Sequence, residues 1–181
     1  MIPDELTTGG LRLRPWREDD VDTVVAALQD PASRLWSGAG ETSREDAALM
    51  LRVRMDPAVR DRAAWAVVDD AGVLLASVSL HSIDHAQADA EVGYWTVPAA
   101  RGRNVAARAV DAACRWAFAA LRLDRVELCH AVENTASARV AEKAGFTLEG
   151  RLRRSHRYGD GLEHDELLWS RLSDDPAHAV G

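Results

Sequence analysis

The chain has 181 residues, of which 47% are hydrophobic and 28% charged, and a formal net charge of −7. That length makes one ordinary domain with a real core, and the composition excludes a disordered chain. The acidic balance argues against a nucleic acid as general partner. No apolar run approaches a membrane span, and "MIPDELTTGG" lacks the basic start and apolar core of a signal peptide, so a cytoplasmic protein is expected.

Along the chain, "LRLRPW" (11–16) alternates apolar and polar residues and predicts a strand. "REDDVDTVVAALQD" carries acidic residues in its first turn and apolar residues at 21, 24, 25 and 28, and so predicts a helix. "DPASRLWSGAG" reads as loop. "TSREDAALMLRVRM" predicts a second helix with Ser43 as N-cap. "RAAWAVVDDAGVLLASVSLHSID" is two apolar runs around "DDAG", a hairpin, and "DAEVGYWTV" is a further strand. Residues 104–121 predict a long helix with apolar positions 105, 109, 113, 116, 117, 120 and 121. "DRVELCHAV" is a strand, and "NTASARVAEKAGF" a short helix stopped by Gly145. "TLEGRLRRSHRYGDGLEHDELLWSRL" is a last hairpin turning at "YGDG", and the tail "SDDPAHAVG" is expected to fray. A mixed α/β domain follows. The strands either side of the 104–121 helix should be parallel neighbours, with ligands at their carboxyl ends.

"RGRNVAARAV" (101–110) poses a problem, because positive charge is unfavourable at a helix N-terminus unless an anion sits there. Unpaired N–H groups converging there, small residues at 102, 106 and 107, and charge from Arg101 and Arg103 would make a phosphate site. The plainer alternative is a glycine that only turns the chain. Local basicity at 101–108 and 151–157 against an acidic background suits a small anionic ligand, or simply a solvated face. Cys114 and Cys129 read as buried thiols without metal-ligand spacing. His81, His85, His156 and His164 form no metal-ligand pattern either, so no metal is expected.

The loop resembles the acyl-CoA signature Q/R-x-x-G-x-G/A of the GCN5-related N-acetyltransferase (GNAT) family, with Arg101 first, Asn104 at the usual glycine and Ala106 last. "ENTASARVAEKAGF" (133–146) and "EVGYWTVP" (91–98) are similar to segments of its branch containing the ribosomal-protein N-terminal acetyltransferases (RimJ/RimL-like). The order of elements agrees from 11 to 172. The resemblance implies a single GNAT-like domain over 1–181. Its sheet would be mostly antiparallel, of about seven strands with one parallel splayed pair, flanked by four helices. It implies acetyl-CoA as co-substrate, and an amine acceptor that is a peptide N-terminus or a small molecule. No nucleic acid, membrane or metal is called for, and a homodimer is compatible with it. Asn104 departs from the glycine, though asparagine tolerates left-handed dihedrals better than most residues.

The resemblance also implies roles. Arg101, Gly102, Arg103, Asn104, Val105 and Ala106 would hold the coenzyme A diphosphate. Backbone groups of Trp95, Thr96 and Val97 would pair with the pantetheine arm like an added strand. Asn134 would bond the arm from the other side, or cap its helix, or both. Lys143 or Arg139 would meet a phosphate, the plainer reading being exposed helix charges. Acyl transfer needs a neutral amine, a polarised carbonyl and a proton for the departing thiolate. A backbone N–H near Trp95–Val97 is the natural oxyanion donor. Ser137 is the candidate acid, or else a first-turn hydroxyl bonding its local backbone. Glu91 is the candidate base, ahead of His130, with a water chain as another route. Tryptophans 65, 95, 116 and 169 read as core, whereas Trp36 is expected in a loop lining the acceptor pocket or capping the core. A non-catalytic acyl-CoA-binding module is the alternative function.

Overall fold

The computed structural model describes residues 3–37 and 42–176. Its strands are β1 (Leu6–Thr8), β2 (Leu11–Arg14), β3 (Ala63–Val68), β4 (Leu74–Asp84), β5 (Asp89–Thr96), β6 (Arg125–Ala131), β7 (Thr147–Arg157) and β8 (Glu163–Leu172). Its helices are α1 (Val21–Gln29), α2 (Pro31–Ser37), α3 (Arg44–Met55), α4 (Val105–Trp116) and α5 (Thr135–Lys143). The strands form one sheet in the order β1-β2-β3-β4-β5-β6-β8-β7. Every pairing is antiparallel except β5 with β6. The expected mixed α/β architecture is present, with eight strands rather than about seven and five α-helices rather than four among the described residues. The extra strand is β1, turned onto β2 through Gly9 and Gly10, both at positive φ. The extra helix is α2, in a segment whose composition predicts loop.

The local rules hold where the sequence states them plainly. Ser43 caps α3 in a capping box, its hydroxyl accepting from the Asp46 N–H at 3.1 Å. Gly145 ends α5 at φ 78. The long helix expected over 104–121 instead stops as α4 at Trp116 and finishes in a π-helical turn over Ala117–Leu121, closed by Arg122 in a left-handed conformation. Ala120 is accordingly exposed.

Two cores lie on the two faces of the sheet. Val78, Leu80, Val92 and Leu128 meet α4 and α5 on one face. Ala64, Ala66 and Val68 meet α1 and α3 on the other. Trp65 is fully buried, crosses Trp116 edge-to-face at 5.0 Å and donates to the Asp4 carbonyl at 2.8 Å. Truncating such a tryptophan costs about 3–5 kcal/mol. A buried Arg171–Asp111 pair at 2.8 Å ties β8 to α4, and Arg171 also reaches the Ala144 carbonyl at the end of α5 at 2.9 Å. The frame around the β5–β6 junction is therefore fixed on the α4–α5 face. No helix among the described residues is long and apolar enough to cross a membrane.

Candidate active site

β5 and β6 pair only at Asp89↔Arg125, Ala90↔Val126 and Glu91↔Glu127. Both strands continue, β5 held by β4 and β6 by β8, but no longer by each other. A wedge opens at their carboxyl ends, where parallel pairing gives way. The Val97 N–H donates to the Leu75 carbonyl at 2.9 Å. Alternation along β5 turns the Gly93 and Trp95 peptide groups to β4 as well, and leaves those of Tyr94 and Thr96 facing the wedge. Of the three backbone positions expected to meet an added strand, Thr96 is the one presented to it, joined by Tyr94.

The loop leading into α4 passes through a 3-10 turn at Pro98–Ala100 and then places Gly102 at φ 75 and Asn104 at φ 59. Asparagine adopts the left-handed conformation that a glycine would fill. The α4 ladder starts with the Arg108 N–H on the Asn104 carbonyl at 3.3 Å, so the N–H groups of Val105, Ala106 and Ala107 precede it and converge on the loop. Arg101 is turned away from them: its guanidinium pairs with Asp30 and donates to the Ser33 hydroxyl at 3.1 Å, and it holds the Asp30 carboxyl below its usual range. Arg103 is exposed beside the turn.

Across the wedge, the Asn134 side chain caps α5, accepting from the Ser137 N–H at 3.2 Å. Tyr94 donates its hydroxyl to Ser137 Oγ at 2.9 Å, bridging β5 and α5. Burial pushes the Tyr94 phenol up to about 12, so it stays protonated near neutrality. Arg139 and Lys143 are exposed on α5.

The opposite face of β5 carries Glu91, Gly93 and Trp95. His81 of β4 lies there, its Nδ1 3.9 Å from Glu91 Oε2. A Cβ built on Gly93 would stand 3.2 Å from His81 Nε2, so this nitrogen sits directly over the strand that borders the wedge. Burial, reinforced by Arg62 and Arg54, lowers the His81 pKa against the pull of Glu91, which keeps the ring neutral and able to accept a proton. His130 is differently placed. It is 3% exposed, its Nδ1 meets the Ala131 carbonyl at 2.8 Å and its Nε2 accepts from Trp169 at 3.0 Å, which makes it a core histidine. Burial and neighbouring carboxylates push the Cys129 thiol up to about 12, far from a reactive thiolate.

Trp36 belongs to α2 rather than to a loop; residues 38–41 beyond it, like 177–181 of the tail, lie outside the described residues. Its ring meets Tyr158 at 5.6 Å and His164 at 6.1 Å, both edge-on, at the turn of the β7–β8 hairpin. Tyr158 in turn donates to the buried Glu166 at 2.8 Å. Among the described residues, no group of three or more His, Cys, Asp or Glu side chains is placed to hold a metal ion.

Sequence reasoning missed Tyr94 and His81. Tyr94 is one of only two tyrosines in the chain, and strand alternation sets its side chain on the face opposite Trp95. His81 acquires its place only through the β4–β5 register, which no local pattern states.

The family profile described as Acetyltransferase (GNAT) domain matches residues 10–147. YdaF of Bacillus subtilis (strain 168), whose name proposes it as a ribosomal N-acetyltransferase, is 38% identical over 105 residues, 56% of this chain and 55% of its own. The ribosomal-protein-serine acetyltransferase of Escherichia coli (strain K12) is 29% identical over 101 residues, 56% of each chain. These alignments thus span little more than half of either relative. Among solved structures, Mycobacterium smegmatis RimJ in complex with CoA-disulfide superposes with a TM-score of 0.84 at 22% identity, over 94% of this chain and 85% of that one.

Proposed function

The chain belongs to the GNAT acetyltransferase family, and from that premise we propose that it moves an acetyl group from acetyl-CoA to a primary amine, by direct attack with both substrates bound. The carrying observation is the wedge: strands that part after Glu91↔Glu127, with backbone groups of Tyr94 and Thr96 left over on its rim and the N-terminus of α4 beside its mouth. These residues suit a pantetheine arm ending in a diphosphate. Thr96 and Tyr94 offer the arm strand-like hydrogen bonds. Gly102, Arg103, Asn104, Val105 and Ala106 supply N–H groups and one exposed cation to the diphosphate. Arg101 acts indirectly, fastening the loop to the α1–α2 junction through Asp30 and Ser33. That answers part of the charge problem posed by "RGRN": one of the two arginines has its anion inside the protein. The complexes of RimJ with CoA-disulfide and of Microcin C7 self immunity acetyltransferase MccE with Acetyl-CoA and AMP support a coenzyme role for this fold.

The coenzyme brings an activated thioester; this chain's residues position it and move protons. His81 Nε2, neutral and next to Gly93, accepts the amine proton, with Glu91 on the other ring nitrogen to steady the resulting cation. The wedge-facing N–H of Tyr94 or Thr96 stabilises the charge developing on the carbonyl oxygen. Ser137 Oγ, occupied as an acceptor by Tyr94, has its own proton free to give to the departing sulfur. Ser137 and His81 lie on opposite faces of β5, so acid and base approach the acyl group from opposite sides. The acceptor is a peptide α-amine or a small-molecule amine; the names of the E. coli and B. subtilis relatives favour the former.

The test is thiol release from acetyl-CoA with a panel of amines and N-terminal peptides. Amine-dependent release is expected. Coenzyme A binding without any release would leave an acyl-CoA-binding module, and no binding at all would refute both.

A further inference from the structure

Charge does not balance on the His81 face of the sheet. Arg54, near the end of α3, and Arg62, just before β3, are both half-buried. Arg54 donates to Ser77 Oγ at 3.0 Å and its guanidinium stands 5.4 Å from the centre of the Trp16 ring. Neither contact neutralises it. Among the described residues neither arginine has an ion-pair partner, and Arg62 Nε is buried with no hydrogen-bond partner. The charge that presses most on Arg54 is that of Arg62, and burial together with this repulsion pulls Arg54 down to about 10. The carboxylates of neighbouring strands are engaged elsewhere: Glu127 with Arg125, Glu166 with Tyr158 and Ser155. Glu91 faces His81 instead and is 48% exposed.

Two poorly solvated cations without a carboxylate are costly to a folded protein unless something else neutralises them. Their position says what that is. Extending the β3–β4 register by one residue from Ala63↔Leu80 sets Arg62 beside His81, which is itself opposite Glu91 on β5. Strands are spaced about 4.8 Å apart, so β3 lies roughly 10 Å from β5, within the combined reach of an arginine side chain and a small ligand. The net charge of −7 would repel anions at long range, which makes a local cationic pair on this face the more specific. A polyamine or a lysine-rich peptide would bring further positive charge to it.

We propose that Arg54 and Arg62 receive a carboxylate carried by the acceptor itself, a few bonds from its nucleophilic nitrogen. The acceptor is then an amino-acid-like amine: a free amino acid held by its own α-carboxylate, or a peptide N-terminus held by an acidic first side chain. This rests on the acetyl-transfer reading. The guanidiniums supply charge-assisted hydrogen bonds that a neutral amine cannot use.

The test uses matched acceptors with the full chain and acetyl-CoA: L-alanine against L-alaninamide, and Glu-Ala-Ala-amide against Gln-Ala-Ala-amide. The anionic member of at least one pair should show a kcat/KM at least tenfold higher, about 1.4 kcal/mol in transition-state binding. The pair that shows it identifies the source of the carboxylate. Arg62→Gln should bring the ratio toward one, Arg62→Lys should restore part of it, and the KM for acetyl-CoA should hold in both. Equal kcat/KM within both pairs, or an undiminished ratio in Arg62→Gln, overturns the proposal. Thermal melting separates this from failure of acetyl transfer itself. If coenzyme A raises the Tm but neither anionic probe raises it further, the carboxylate site is wrong. If coenzyme A leaves the Tm unchanged, the transfer reading is wrong, and the anionic probes then report on the arginines alone: a rise lost in Arg62→Gln supports the site, and no rise overturns it.

Discussion

Ser137 and Tyr94 show how much one hydrogen bond changes the account of a side chain. A serine one turn into a helix is commonly a local backbone partner, but here its oxygen is held by a phenol from another element. Ser137→Ala should lower kcat by about 10²–10⁴-fold, the usual worth of general acid help, with coenzyme A affinity nearly unchanged. Tyr94→Phe removes the orienting bond and keeps the proton donor, so its loss of kcat should be smaller, of order tenfold. Steady-state kinetics with calorimetric binding decides both; parent turnover in a folded Ser137→Ala would make Ser137 a helix residue only. Gly102 poses a backbone question instead. A Cβ there would meet nothing within 4 Å, but φ is +75°, so a side chain strains the loop without a clash. The left-handed conformation costs most residues roughly 1–2 kcal/mol. Gly102→Val should therefore weaken coenzyme A binding by tenfold or more, whereas Asn104→Gly should keep or improve it. An unchanged affinity in folded Gly102→Val would remove the diphosphate from this loop. The sequence shows Asn104 at a glycine's place, and its φ of 59° is the left-handed conformation that a glycine would fill.

At the scale of elements, α2 and the β7–β8 hairpin form one wall. "DPASRLWSGAG" reads as loop because Pro, Ser and Gly dominate it. Yet Asp30 accepts from the Ser33 N–H at 3.0 Å and Pro31 opens the helix, so the start signal was present and outweighed by the glycines that follow. Trp36 on this helix packs on Tyr158 and His164. Trp36→Ala should raise the KM for the amine more than that for acetyl-CoA; equal effects would assign it to packing. His164 links the same wall, Nε2 to Asp160 at 2.9 Å and Nδ1 to Glu133 at 3.2 Å, and these two carboxylates raise its pKa above the ordinary value. The folded state thus holds the proton more tightly than the unfolded one. That stabilisation is complete below the unfolded pKa of about 6.5 and is lost as pH rises through the folded value. The Tm of the parent should fall relative to His164→Gln across that window, and parallel pH curves would show that the bridge contributes nothing.

For the whole molecule, the order of elements along the chain and the parallel crossover through α4 are legible in the alternation of strand and helix patterns, because hydrophobic periodicity is local. What escapes is whatever depends on register: Trp95 and Val97 turned to β4 while Thr96 faces the wedge, His81 beside Glu91, Arg62 beside His81. A one-residue slip would reverse each of these, and no short stretch of sequence encodes the slip. We place the coenzyme in the wedge and at the α4 N-terminus together. Amide hydrogen exchange of the full chain with and without coenzyme A tests it most directly. Slower exchange at Tyr94, Thr96 and residues 102–107, with residues 44–55 of α3 unaffected, is the predicted result. Bound coenzyme A that leaves the amides of 94, 96 and 102–107 exchanging as before would contradict it.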